Sequence, residues 1–212
     1  MVRYAHANEA SAVVTDARLR TAVTAIRSLG QKGIKVHAAE SGGLNRVLGF
    51  SSRYVKNKIP LSKEAHKQPD DKDLAAILGA CVPKGVILPI HSPFVFMLSE
   101  RKEKLSQMAS FLVPEYACLK TAHDQRDCMK LATSLRIPVP GTWALQQGTD
   151  LGKWLEGLKL VYPVILKYRS GEDLWFQTNT GRCMPFKKNR LFRNTLKGRT
   201  GGPPCFMMVK AG

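Results

Sequence analysis

No aspartate or glutamate follows Asp173 in this 212-residue chain, whereas eight lysines and arginines do. Residues 174–212 can therefore supply no carboxylate for general acid-base work or for a hard cation. They also hold nearly half of the formal net charge of +17. Other absences narrow the field further. The five cysteines, Cys81, Cys118, Cys128, Cys183 and Cys205, contain no Cys-x-x-Cys pair, and their odd number argues against a closed disulfide framework. They read as small apolar fillers in a reduced compartment. A metal site would need distant groups such as His123 and Cys128 to converge, so none is expected. The opening residues lack the apolar core of a signal peptide, and the longest greasy run, Val86 to Leu98, is cut by Pro89, His91 and Pro93. A cytoplasmic protein without a transmembrane segment is expected.

What is present is ordinary for a globular protein: 44% hydrophobic and 23% charged residues, in a length that holds one large or two small domains. Ala12-Val13-Val14-Thr15 reads as a strand. Asp16 then stands where a cap belongs, before a helix carrying Leu19, Ala22, Val23, Ile26 and Leu29 at helical spacing. Gly30 and Gly33 bracket its end, and Gly33 to Ala39 reads as a second strand. Strand, helix and strand within about 30 residues predict a parallel βαβ unit. The glycine fingerprint GxGxxG is missing after the first strand, which leaves the turn Thr15 to Arg18 two readings: a polar ligand contact, or a plain helix start.

Ser41-Gly42-Gly43 opens a loop, and Ser52-Arg53-Tyr54-Val55 leads into a strand over Lys56 to Ile59. A helix over Asp73 to Cys81 packs Leu74, Ile77 and Leu78. Gly85 to Ile90 is a buried strand, followed by His91 and Ser92 at its carboxyl end, where open α/β sheets bind ligands. A helix-capping Ser92 beside a solvated His91 accounts for the same pair. One helix is predicted from Pro93 to about Met108, then a last strand, Phe111-Leu112-Val113, and a hand-over at Pro114.

The stretch His123 to Gly171 carries the chemistry. Asp124 heads a helix whose apolar face is Cys128, Leu131, Ala132 and Leu135, and Pro138 and Pro140 end it. Thr142 to Leu145 reads as a strand, Leu151 to Leu158 as a helix, and Val164-Ile165-Leu166-Lys167 as a strand with a cation at its exit. Trp143 and Trp154 read as core anchors. Lys167, with Ser170 and Gly171 in the turn that follows, can present an ammonium and backbone N–H groups to a phosphate; a strand-end lysine in solvent is the plainer alternative.

In combination, Asp124, Ile137, Pro138, Pro140, Pro163, Val164 and Lys167 resemble the first lobe of the ATP-grasp superfamily, the carboxylate-amine and carboxylate-thiol ligases. The resemblance implies an α/β fold: a Rossmann-like domain with a parallel sheet over 1–113, then a partial ATP-grasp first lobe over 114–175. It implies ATP as cofactor, with Lys167 on a phosphate and Gln125 or Arg126 at the companion position, since Gln125 stands where relatives carry a cation and Arg126 follows about 100° around the helix. It also implies a small carboxylic acid as substrate, activated as an acyl phosphate with magnesium. The family's acidic magnesium ligands lie downstream of the lysine strand, where this chain has none. A truncated ATP-grasp protein, not catalytic alone, is therefore expected; a noncatalytic nucleotide-binding remnant and a basic RNA-binding protein are the alternatives. Residues 176–212 have scattered hydrophobes and GG and PP breakers, and are expected to form an irregular basic tail. That tail is either a contact for nucleic acid or an anionic surface, or a truncated or frame-altered end.

Overall fold

The computed structural model describes residues 11–81, 85–144, 164–168, 184–186 and 205–209. The chain divides into two compact units, Met1–Leu119 and Lys120–Gly212. The first is built on a four-stranded parallel sheet in the order β3-β2-β1-β4, from β1 (Ser11–Val14), β2 (Lys35–Ser41), β3 (Val55–Leu61) and β4 (Val86–Leu88). All four residues of β1 are buried, as a central parallel strand covered on both faces requires.

Alternation along the strands sorts the core into two layers. Val14, Val36 and Ala38 meet Ala22 and Ile26 of helix α1 (Arg20–Gln31). Their neighbours Val13 and Ala39 meet residues of α2 (Asp71–Gly79), α3 (Ser92–Glu100) and α4 (Lys102–Leu105), among them Leu74, Ile77, Phe94, Met97, Leu98 and Leu105. Asp70 caps α2 through a reciprocal box: its carboxylate accepts from Asp73 N at 2.9 Å, and Asp73 Oδ2 accepts from Asp70 N at 3.1 Å.

The predicted βαβ start is present. Two local expectations fail. The single helix from Pro93 is broken at Arg101, whose backbone leaves helical geometry between α3 and α4. Phe111 to Val113 is no strand; only Ser110 reaches the sheet, through a bridge to Val86, while Val113 packs in the core. The Arg53-Tyr54 patch has a packing role: Tyr54 lies against Gly30, where an added Cβ would sit 2.3 Å from the Tyr54 Cβ, and the Arg53 guanidinium stacks 4.9 Å from the Tyr54 ring centre.

The boundary between the units falls within α5 (Tyr116–His123), and α6 (Gln125–Ser134) follows in the second unit. Asp124 caps it as expected, accepting from Arg126 N and Asp127 N. The helix closes before the prolines: Arg136 adopts a left-handed φ of 57°, with Arg136 N bonded to Thr133 O and Ile137 N to Ala132 O. Its predicted apolar face is not buried, and Leu131 and Leu135 are exposed. The unit's sheet is antiparallel, in the order β5-β8-β6-β7, from β5 (Thr142–Ala144), β6 (Val164–Tyr168), β7 (Met184–Phe186) and β8 (Cys205–Val209). Both β7 and β8 come from the stretch expected to be irregular; their short apolar runs between glycine and proline breakers suffice for strands. The helix expected over 151–158, together with Trp154, lies outside the described residues.

Two consequences are measurable. Asp70→Ala should lower unfolding free energy by about 1 kcal/mol in urea titrations. Arg136→Gly should raise it by about 1 kcal/mol, because glycine carries no side-chain penalty at a left-handed helix stop.

Candidate functional site

The carboxyl ends of the parallel strands are the place to look, and the order β3-β2-β1-β4 puts the topological switch point between β1 and β4. There the chain fills its own crevice. Thr15 N donates to Leu88 O at 3.2 Å, and Thr15 Oγ1 accepts from Ile90 N at 3.1 Å while donating to Asp16 Oδ2 at 2.5 Å. Asp16 Oδ2 also accepts from His91 N at 3.2 Å.

Asp16 does not cap α1, whose N-cap is Leu19 and makes no side-chain cap bond. It is 1% exposed and sits at a left-handed φ of 56°, a conformation aspartate tolerates better than most residues. Burial pushes its carboxyl above the ordinary value, against the hydrogen bond from Thr15 and the positive charge of Arg18. His91, not Ser92, is the N-cap residue of α3, and it acts here through its backbone.

Beside this plug lies a second buried carboxylate. Glu40, near the end of β2 and 1% exposed, accepts from Arg18 N at 2.7 Å, Arg18 Nη1 at 2.6 Å and Ser41 N at 2.7 Å. Arg18 Nη1 also lies 3.6 Å from Asp16 Oδ1. An acid at the end of the second strand is where a Rossmann-type site would grip a ribose, but this one is committed to its own chain. The sequence signal was available: an acid closing the apolar run of β2.

An open space lies at the loop after β2. A cavity of about 590 Å³ is lined there by Glu40 to Leu48 together with Phe50, Ser51 and Pro60. Its loop is anchored at both ends. Gly42 N donates to Leu61 O at 2.9 Å, and Gly49 N donates to Ala17 O at 2.8 Å, an approach so close that a Cβ on Gly49 would lie 2.6 Å from that oxygen.

The residues expected to hold nucleotide fall in the second unit. Gln125 and Arg126 form the first turn of α6, and Lys167 is the penultimate residue of β6, paired with Phe206 of β8. Among the described residues, Arg126 Nε has no hydrogen-bond partner, and it lies 3.8 Å from Asp127 Oδ1. Ser170 and Gly171 lie outside the described residues. Cys81 is buried and its thiol is pushed up to about 11, an unreactive group.

No family model and no curated protein matches this sequence. Solved structures do match its fold. A carboxyaminoimidazole ribonucleotide synthase from Aspergillus clavatus, complexed with ATP, aligns over 94% of this chain and 47% of its own at a TM-score of 0.60 and 15% identity. The chain has the fold of the N-terminal part of ATP-grasp enzymes. Two further proteins show that fold: a pyruvate carboxylase from Rhizobium etli, at TM-score 0.57, 14% identity, 94% of this chain and 18% of that one, and an L-amino acid ligase from Bacillus licheniformis, at 0.52, 12%, 76% and 37%. The chain thus spans about half, or less, of the length of these ATP-grasp structures. No helix among the described residues is long and apolar enough to cross a membrane.

Glu40→Ala should cost about 3–5 kcal/mol, since it strands a partly buried guanidinium, whereas the pair Arg18→Met with Glu40→Leu should recover most of that loss in denaturant melts. For Asp16 the raised carboxyl value fixes the sign. The unfolded chain releases its proton first, so stability held below about pH 4 is lost as pH rises through the folded value. Asp16→Asn cannot ionise, and unfolding free energies compared from pH 4 to 8 should show the parent losing ground to this variant.

Proposed function

We propose that this protein is related to the ATP-dependent ligases that activate a carboxylate as an acyl phosphate, that it binds ATP through its second unit, and that it does not complete the ligase reaction alone. What carries this reading is agreement on one stretch. Residues 124–167 follow the ATP-grasp motif order, and the fold alignment with an ATP-complexed synthase runs over 94% of the chain.

On this reading Lys167 meets a phosphate from the exit of β6, Ser170 and Gly171 supply N–H groups, and Arg126, with Gln125 beside it, takes the companion position. The donor set suits an anion. Asp124 already accepts from the first-turn N–H groups of α6, so at this helix the side-chain cation, not the helix start, would meet the anion. Arg126 Nε is buried without a hydrogen-bond partner among the described residues, a donor that an anion would satisfy.

Magnesium fits less well. No group of three or more His, Cys, Asp or Glu that could hold a metal occurs among the described residues, and no acid follows Asp173. On this reading the chain contributes nucleotide binding and not the metal ligands. The basic stretch 176–212 contributes β7 and β8 to one sheet with β6, which favours a nucleotide lobe over a detached RNA-binding arm.

Thermal melts test the binding. ATP at 100 times its dissociation constant should add about 2.7 kcal/mol of stability, the shift should vanish in Lys167→Ala, and Arg126→Ala should weaken binding roughly tenfold. Phosphate release from ATP with a panel of carboxylic acids and amines should stay at background; acid-dependent release by this chain would overturn the noncatalytic assignment.

A further inference from the structure

We propose that the face formed by α1 and the β3 edge binds duplex nucleic acid through its phosphates, without reading sequence. This face belongs to the first unit and does not depend on the nucleotide reading or on residues 176–212.

Charge in the first unit is segregated. Residues 19–63 hold nine lysines and arginines against one acid, Glu40, whereas residues 64–115 hold six against seven acids. Glu40 is buried and its carboxylate is bonded to Arg18, so it offsets none of the nine. All nine are exposed, and none makes an ion pair among the described residues. The pairs Lys67 with Glu64, Arg101 with Asp71 and Lys102 with Glu115 all fall in the other stretch.

Topology gathers six of the nine. Tyr54 packs on Gly30, which brings Arg53 beside the end of α1 that follows Arg27 and precedes Lys32 and Lys35. The register of β3 on β2 skips Lys56 and pairs Lys58 with Ala38, a residue of the α1 layer, so Lys58 shares that face of the sheet. Lysines on an edge strand also guard against strand pairing, but that role leaves Arg27, Lys32 and Lys35, which lie off the edge, without an account.

The residue types around the cations point to phosphate. Thr21, Ser28 and Gln31 complete the exposed side of α1 with hydroxyl and amide groups of the kind that bond to backbone phosphates. No large apolar residue of α1 or β3 is exposed. An acidic protein would need an apolar centre to its interface, and an anionic lipid surface would need apolar side chains to enter it. Single strands are held by stacking on open aromatic rings. Tyr54 is not open: the Arg53 guanidinium lies 4.9 Å from its ring centre, and Arg53 Nη2 donates to its hydroxyl at 2.8 Å. The rows of charge on a duplex require neither an apolar centre nor a free ring.

Fluorescence anisotropy of the whole chain with a labelled 20-base-pair DNA duplex tests this. Saturable binding is expected at about 1–100 μM in 150 mM salt, equal for two unrelated sequences. Polyglutamate, phosphatidylserine vesicles and the separated strand should each bind at least tenfold more weakly. Arg27→Gln, Arg53→Gln, Lys56→Gln and Lys58→Gln together should cost at least tenfold and flatten the slope of log affinity against log salt by about 3 to 4. Lys56→Gln with Lys58→Gln alone should lose severalfold. Lys72→Gln, Lys104→Gln, Lys120→Gln and Lys130→Gln remove the same charge from elsewhere and should change affinity less than about threefold; circular dichroism confirms that each variant is folded. Equal losses in the two fourfold variants would reduce the effect to net charge and overturn the proposal. So would no binding to the duplex, a marked sequence preference, or tighter binding of any of the other three probes. ATP-dependent stabilisation, lost in Lys167→Ala, is read separately, so either result stands without the other.

Discussion

The first unit depends on how one buried carboxylate is satisfied. Glu40 accepts from the backbone and side chain of Arg18 and from Ser41 N, which ties the turn after β1 to the end of β2. A carboxylate hidden from water is tolerated only where such donors replace its hydration. The turn held this way also brings Ala17 N to Ala39 O and offers Ala17 O to Gly49 N, so three successive segments take their positions from it.

At the fold's usual ligand crevice the chain's own polar groups bond to one another. Thr15 and Asp16 bond across to Ile90 and His91, closing the gap between β1 and β4. Where a dinucleotide-binding relative would leave space and a free acid, this chain has its own polar groups at hydrogen-bond distance. A shared architecture sets where sites are allowed and leaves their chemistry to the residues at the rim.

The layered start was readable because parallel strands buried on both faces are apolar throughout and the intervening helix has a regular stripe. Asp124 was readable as a cap for the same reason: capping is local chemistry. Asp16 misled because the cap rule saw only its neighbours, whereas its partner lies 75 residues away at His91. Periodicity likewise ran straight through Arg101, where α3 turns into α4. It also assigned a buried face to α6, although Leu131 and Leu135 are exposed. The strands β7 and β8 were hidden because three to five apolar residues between breakers carry almost no period, and their pairing with β5 and β6 is non-local.

The position of β8 bears on how the second unit comes together. In the order β5-β8-β6-β7, residues 205–209 lie between two strands that precede them in the chain, and β5 meets β6 only through them. During synthesis this ladder cannot close until those residues have left the ribosome. Until then β5 and one edge of β6 lack the strand that pairs with both.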